Sequence, residues 1–232
     1  MNILLALLDL FYPRLCLRCG RSLTHSEEFL CAYCIADIPR TDFHLHPGNN
    51  PAEEALGGKV YVKEVYSWFY FSKKGSYSNL IYSLKYKGKS EFARYLGTLY
   101  AMELTADGKL KDIDYIVPVP LHKKRMKTRG YNQSEMIASG VAGKTDGTLR
   151  TDILRRSVAT ETQIRKSRYD RWLNIKDAFV AEPAAEEDRL RSVLLVDDVM
   201  TTGSTLLSCI NALHEAGYEN ISVLTLSFAE NR

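Results

Sequence analysis

The chain has 232 residues and a mass of 26.3 kDa, which suits one full domain with a small appendage or two modest domains. With 45% hydrophobic, 25% charged and 10% aromatic residues it is of ordinary globular composition, and 14 Gly and 7 Pro exclude collagenous and low-complexity readings. The net charge is only +3, yet residues 120–176 hold 14 Lys/Arg against 5 Asp/Glu, a local +9, and the remainder carries −6. Such a basic middle favours a polyanion, either the phosphates of a small ligand or a nucleic-acid backbone; a solvated Arg-rich loop is the plainer alternative.

The first thirteen residues, MNILLALLDLFYP, lack the basic start and small-residue cleavage site of a signal peptide. Asp9 interrupts the apolar run and Pro13 ends any helix there. A short helix docked on the domain is expected, with a peripheral membrane helix as the alternative. No stretch approaches the roughly 18–20 apolar residues of a spanning helix. The expected place is the cytoplasm, with the inner face of the membrane as the alternative.

Cys16-Leu-Arg-Cys19 is followed by Cys31-Ala-Tyr-Cys34. Two C-x2-C knuckles this close point to one tetrahedral zinc site. Four thiolates leave no open position, so the ion would be structural. His25 lies between the knuckles, but the cysteines already fill the shell. A pair of disulfides is the rival, disfavoured by the missing signal peptide. Cys209 falls on the apolar face of a predicted helix and reads as an inert core residue.

Residues 35–59 carry Pro39, Pro47, Gly48, Pro51, Gly57 and Gly58 and read as a linker. The division expected is 1–50, the helix, cysteine module and linker, and 51–232, the main domain. Val60 to Phe71 reads as one or two strands. Its aromatic residues suit a small packed sheet, or alternatively a base-stacking platform. Helical spacing follows over Ser78–Lys85 and Glu91–Leu104, with the basic turn Lys85-Tyr-Lys-Gly-Lys89 between them.

The run Ile113-Asp-Tyr-Ile-Val-Pro-Val-Pro120 reads as a strand that opens into a loop. Lys123, Lys124, Arg125, Lys127 and Arg129 then crowd one short segment. Asn132–Val141 reads as a helix with Met136 and Ile137 inward. Arg155, Arg156, Arg165, Lys166, Arg168 and Arg171 lie in a polar stretch that resembles a lid over an anionic site.

Ser192-Val-Leu-Leu-Val196 reads as a parallel strand buried on both faces. It runs into Asp197-Asp198-Val-Met-Thr-Thr-Gly-Ser-Thr205. Leu206, Leu207, Ile210 and Leu213 then mark one face of a helix that stops at Gly217, and Ile221–Phe228 is a further strand. A loop that ends at a helix N-terminus offers free N–H groups and a favourable dipole to an anion. Thr201, Thr202, Ser204 and Thr205 add hydroxyls, and Gly203 allows close approach of the backbone. Two carboxylates beside a phosphate cradle suit vicinal hydroxyls or a hydrated Mg2+. Together these describe a ribose 5-phosphate. A response-regulator receiver needs far more chain after its acidic pair, and a Walker B strand needs a G-x4-G-K-[ST] loop that this chain lacks.

Leu194-Leu-Val-Asp-Asp-Val-Met-Thr-Thr-Gly-Ser-Thr205 resembles the phosphoribosyl pyrophosphate (PRPP) loop of type I phosphoribosyltransferases. With the four cysteines, Leu84-Lys-Tyr-Lys-Gly88, Val117-Pro-Val-Pro120 and Arg129-Gly-Tyr-Asn-Gln133, the chain is similar to the ComF family over about Leu10 to Phe228. The resemblance implies an α/β fold of the type I phosphoribosyltransferase kind, with a small hood, plus an N-terminal four-cysteine zinc ribbon. It implies that Asp197 and Asp198 meet the ribose hydroxyls and serve as the catalytic pair. Thr201, Thr202, Gly203, Ser204 and Thr205 would hold the 5-phosphate. The loop after Pro120, with Lys123, Arg125 and Arg129, would face the pyrophosphate, and Mg2+ would bridge pyrophosphate and ribose oxygens. The 60–71 strand would belong to the hood. The family is associated with natural competence, and some relatives with gluconate uptake. The implied partners are PRPP, single-stranded DNA, and a competence helicase or DNA-uptake channel protein. A Mg-dependent transferase of unknown acceptor is one expectation; a non-catalytic PRPP-responsive DNA-binding or adaptor protein is the other.

Overall fold

The apolar runs of the C-terminal third set the architecture. β6 (Ser192–Met200) and β7 (Asn220–Ala229) pair in parallel from Ser192↔Asn220 to Met200↔Phe228. They are the inner strands of a five-stranded sheet, order β1-β7-β6-β2-β3, with every pair parallel. The others are β1 (Val65–Phe71), β2 (Tyr115–Pro118) and β3 (Thr148–Leu149). The computed structural model describes residues 12–57, 60–86, 88–157 and 178–229.

Side chains alternate between faces along a strand, and both faces here are covered. Leu194, Val196, Leu224 and Leu226 pack with α3 (Ser78–Ser83), α4 (Ser90–Ala106) and α6 (Gln133–Ala142). Val193, Leu195, Ile221 and Val223 pack with α7 (Ser204–Glu215) and with an antiparallel ribbon of β4 (Leu154–Arg156) and β5 (Phe179–Ala181). Continuous apolar strands covered on both faces are what a doubly wound α/β sheet requires.

Four expectations change. The 60–71 segment is neither a hood nor a small separate sheet. Val65–Phe71 is the edge strand of the main sheet, beside β7. The reason is that both its faces are apolar: Trp68 stacks on Tyr100 of α4 at 5.5 Å, and Tyr70 meets Phe43 edge-on at 5.7 Å. A stacking platform is excluded by the burial of Trp68 and Phe69.

Residues 35–57 of the expected linker are ordered into the fold rather than forming a bare tether. Thr41 N–H donates to the Trp68 carbonyl at 3.0 Å, and Tyr70 N–H to that of Pro39 at 2.9 Å, so this segment runs along β1. α1 (Ala32–Ala36) precedes it, and α2 (Pro51–Leu56) ends it, capped by Asn50, with Ala52 and Leu56 buried.

The segment after Pro120 is mostly helix. α5 (Lys123–Arg129) starts where His122 Nδ1 accepts from Lys124 N–H, and it ends at Gly130, whose φ of 82° is left-handed. β6 outlasts the apolar run and carries both aspartates within the strand. β7 continues as its partner to Phe228, whereas β2 stops at Pro118 opposite Val196. Of the Arg-rich stretch, Arg155 and Arg156 lie in β4, and Arg165, Lys166, Arg168 and Arg171 lie outside the described residues, as does the apolar start.

α4 and α6 cross at two glycines. A Cβ at Gly97 would overlap the Ile137 carbonyl oxygen, and one at Gly140 that of Arg94. No helix among the described residues is long and apolar enough to cross a membrane.

Candidate functional site

The strand order dictates where a ligand goes. From β2 the chain crosses outward to β3; from β6 it crosses the other way to β7. The crevice at the carboxyl ends of β2 and β6 is therefore the topological switch point. A cleft of about 830 Å³ opens there. Its floor is the end of β6, where Asp197, Asp198 and Val199 have lost β2 as a neighbour.

Asp197 Oδ1 accepts from Ser134 Oγ at 2.7 Å and from the Asp198 N–H at 2.9 Å. Burial and the adjacent Asp198 charge nevertheless push its carboxyl up to about 7, with the Ser134 bond opposing them. Burial also raises Asp198, against the positive charges of Lys85 and Arg129. Half-buried carboxylates with no ion partner in contact among the described residues are poised for hydroxyl donors or for the surroundings of a cation.

Beyond them, Thr201, Gly203, Ser204 and Thr205 line a small hollow at the start of α7. Gly203 is the N-cap, with a φ of 72°, and no side chain among the described residues caps the helix. Its first N–H groups are thus left for an anion. Thr201, Thr202 and Thr205 are exposed, and Thr202 Oγ1 donates to Ser204 Oγ at 3.2 Å. Buried Cys209 sits on the core side of α7, as its spacing predicts.

The rest of the cleft lining is rich in basic residues. Lys124, Arg125 and Arg129 of α5 line the cleft; exposed Lys123 does not. Lys73, Lys85 and Arg156 join them from the turn after β1, the turn after α3, and β4. The basic turn at Lys85 and the Arg-rich stretch had marked two of these; nothing in the sequence marked Lys73.

Three short motifs meet here. Tyr131 OH donates to the Leu84 carbonyl at 2.6 Å, which joins Arg129-Gly-Tyr-Asn-Gln133 to Leu84-Lys-Tyr-Lys-Gly88. Asn132 Nδ2 donates to the Val119 carbonyl at 3.0 Å, which joins it to Val117-Pro-Val-Pro120. Asn132 also caps α6 through the Ser134 N–H.

The four cysteines form a second site. Their sulfurs lie within 4.8 Å of one another, and Cys19 and Cys31 are 3.8 Å apart. A tetrahedron with Zn–S near 2.3 Å has edges of about 3.8 Å. Burial pushes the Cys16 thiol up, but backbone N–H groups of Cys31, Cys19 and Arg18 outweigh it and bring it down to about 6. None of the five cysteines is in a disulfide. The four are therefore placed to hold a metal ion, and their donor set suits structural zinc.

A doubly wound parallel sheet, with an acidic pair and a hydroxyl-rich helix start at its switch point, defines the type I phosphoribosyltransferase fold. The phosphoribosyl transferase domain profile matches residues 136–231. The chain is 32% identical over 227 residues to competence protein F of Haemophilus influenzae, covering 94% of this chain and 99% of that one, and it belongs to the competence protein F (ComF) family. It is also 29% identical over 215 residues to the DNA utilization protein YhgH of Escherichia coli K12, covering 91% of this chain and 89% of that one. A hypoxanthine phosphoribosyltransferase structure from Staphylococcus aureus aligns with 60% of this chain and 64% of that one, at 16% identity and a TM-score of 0.38.

Proposed function

We propose that this protein binds PRPP with Mg2+ in the switch-point cleft and serves competence-linked uptake or handling of single-stranded DNA. One observation carries the ligand reading. Two carboxylates stand beside an uncapped helix N-terminus in a cleft otherwise rich in cations. A bare phosphate would be repelled by them; a phosphate that carries vicinal hydroxyls would use them.

In this reading Asp197 and Asp198 accept from the ribose hydroxyls, and Thr201–Thr205 hold the 5-phosphate. Arg125 and Arg129, with Lys124, face the pyrophosphate. Lys123 is left out because it does not line the cleft. Mg2+ would enter with the ligand and neutralise charge on the pyrophosphate oxygens; the acidic pair and the ligand's own phosphates fit that need. The supported reaction class is phosphoribosyl transfer. A nucleophile's lone pair forms the bond to C1′ as the C1′–O bond breaks and pyrophosphate departs with its electron pair.

A second reading has its own observation. α5 buries none of its residues and carries five Lys/Arg. An exposed basic helix at the mouth of the cleft suits a DNA strand, and one similar protein bears the name DNA utilization protein. PRPP would then regulate rather than react, and a competence helicase or DNA-uptake channel protein would be the partner of the cysteine module, which holds structural Zn2+. This reading places the protein in the cytoplasm or at the inner membrane face.

The test is calorimetric titration of the zinc-loaded protein with PRPP and Mg2+, wild type beside Asp197→Asn/Asp198→Asn. Saturable binding that the double variant loses is expected; equal binding would remove the acidic pair from the site. DNA affinity should fall with salt, with a log–log slope of roughly −0.7 per phosphate contacted.

A further inference from the structure

One corner of the cleft has no part in that reading. Phe71 ends β1, Ile81 and Tyr82 belong to α3, and Lys73 and Lys85 lie in the turns that follow them; all five line the cleft. The rings of Phe71 and Tyr82 meet edge to face, with centres 5.9 Å apart and planes at 81°. Phe71 is 9% exposed, whereas Tyr82 is 37% exposed. Lys85 Nζ lies 5.2 Å from the centre of the Tyr82 ring. Neither Lys73 nor Lys85 forms an ion pair among the described residues.

The chemistry of this corner differs from that of the rest. Ribose and phosphate are met by hydrogen bonds and charge, and they gain little from an aromatic surface. A flat unsaturated ring gains most, because its face packs on aromatic side chains. Two unpaired ammonium groups beside that surface favour a ring that carries an anionic group. A neutral ring would use Phe71, Ile81 and Tyr82 but leave both charges unanswered.

The place of the corner in the sheet agrees. In the strand order, β6 with its acidic pair stands between β1, which ends at Phe71, and β2, which leads into α5. Lys85 is near enough to Asp198 for its charge to oppose the rise that burial causes. A nucleophile and its leaving group take opposite faces of the carbon between them. With a ribose on the acidic pair and a diphosphate toward α5, the open face of C1′ is the one toward β1.

We infer that Phe71, Ile81, Tyr82, Lys73 and Lys85 form the acceptor subsite, which takes a planar N-heteroaromatic ring with a carboxylate or similar anion at its edge. A ring nitrogen with a bare lone pair forms the bond to C1′ as pyrophosphate takes the C1′–O electron pair, and no proton has to move. The step rests on the proposed function; the binding of a ring acid at this corner does not.

The experiment titrates the full zinc-loaded chain with nicotinate and pyrazine-2-carboxylate. Nicotinamide and pyrazinamide are the uncharged counterparts, and cyclohexanecarboxylate is the non-planar acid. The two ring acids should bind at least about threefold more tightly than any of the three controls. Tyr82→Leu should weaken them at least about fivefold, as expected for loss of one ring contact. Lys73→Gln should weaken the acids about threefold and the amides hardly at all. PRPP with Mg2+ is titrated separately, and its affinity should change less than twofold in Tyr82→Leu.

Ring acids that bind no better than the controls would overturn the subsite. So would ring-acid binding that is unchanged in Tyr82→Leu, or that inorganic pyrophosphate displaces, since the acid would then lie toward α5. An oligothymidylate that needs Tyr82, in a protein that binds neither ring acid, would give the corner to DNA instead. Tyr82-dependent binding of ring acids by a protein that does not bind PRPP would sink the PRPP reading and leave the subsite standing. PRPP binding that needs Asp197 and Asp198, with no binding of ring acids, would do the reverse.

Discussion

Ser134 Oγ donates to Asp197 Oδ1 at 2.7 Å, across 63 positions of sequence. Ser134 is itself held, because its N–H donates to Asn132 Oδ1, and Asn132 Nδ2 reaches the Val119 carbonyl. The acidic pair is thus positioned by β2, α6 and β6 together. Hydroxyl, cap and carboxylate form one chain of contacts from the loop after β2 to the floor of the cleft.

Ser134→Ala should cost more stability near pH 8 than near pH 5. The bond favours ionised Asp197 and opposes the rise caused by burial and Asp198. Hydrogen bonds to charged groups contribute about 1.5–3 kcal/mol. When Asp197 is protonated, less of that is at stake. Thermal unfolding of wild type and variant at the two pH values checks this; an equal loss at both would mean that the bond does not depend on the charge of Asp197.

The crossing of α4 and α6 carries that geometry. At Gly140 a methyl group would overlap the Arg94 carbonyl oxygen and lie 2.8 Å from the Thr98 nitrogen. Overpacking costs about 1–3 kcal/mol, and backbone on backbone belongs at the upper end. The gain in helix propensity from Gly to Ala, about 1 kcal/mol, is too small to offset it. Gly140→Ala should therefore lower the Tm by about 4–8 °C, at about 2–4 °C per kcal/mol for a chain of this size. It should also weaken PRPP binding, because α6 carries Ser134. Gly143→Ala is the control: its nearest neighbour would be 3.6 Å away and its backbone is right-handed helical, so Tm should hold or rise. Equal Tm for wild type and Gly140→Ala would show that the helices can separate freely.

Local patterns carried most of the fold. The cysteine knuckles are legible because four ligands within nineteen residues allow few arrangements. The 192–228 unit is legible because its apolar period switches from strand to helix and back. The extent of β6 was not, because two aspartates look like a loop until β7 is known to pair beside them. β1 was read as a strand, but its place at the edge of the main sheet was not legible, because Tyr66, Trp68, Phe69 and Tyr70 put aromatic rings on both faces and so suit a small packed sheet as well as a covered edge strand. Lys73, Lys85 and Arg156 come from three separate elements, and only the fold gathers them. Gln133 is legible only as the last residue of the Arg129-Gly-Tyr-Asn-Gln133 motif; its side-chain nitrogen, unpaired among the described residues, is not.

Removal of zinc should destabilise the whole chain, not the module alone. Cys16, Cys31, Cys34, Leu30 and Ile38 share one apolar cluster with Trp68 and Phe92. Tyr77 OH donates to the Cys34 carbonyl at 2.9 Å, and Asn79 Nδ2 to that of Leu17 at 2.9 Å. The free energy of structural zinc binding is folding free energy. A strong chelator, or Cys31→Ser, should therefore lower the Tm of the main transition by at least about 5 °C, given about 2–4 °C per kcal/mol. A thiol assay on unfolded, chelated, unreduced protein should give five thiols per chain. Three or fewer would restore the disulfide reading.

Asp197 should make stability and ligand binding respond to pH in opposite directions. Its carboxyl is pushed up to about 7 by burial first and by Asp198 second. The groups that face it are Asp198 of β6, the Ser134 hydroxyl of α6, Arg156 of β4 and the Cys209 thiol of α7. In the unfolded chain an aspartate titrates near about 4. Between about pH 4 and 7 the folded state therefore binds more protons than the unfolded state, and stability falls as pH rises through that window. Asp197→Asn removes this loss and keeps the Oδ1 acceptor for Ser134 and the Asp198 N–H. The ligand-free variant should match wild type near pH 4 and exceed it in Tm near pH 8. Ribose hydroxyls bond more strongly to an ionised carboxylate than to a protonated one, so PRPP binding to wild type should tighten as pH rises from 6 to 8, and the variant should bind weakly throughout. Greater stability with less binding is the expected mark of a charge buried for function. A lower Tm for Asp197→Asn near pH 8 would show instead that the carboxylate is well solvated or paired, and the pH dependence of binding would then have to come from another group.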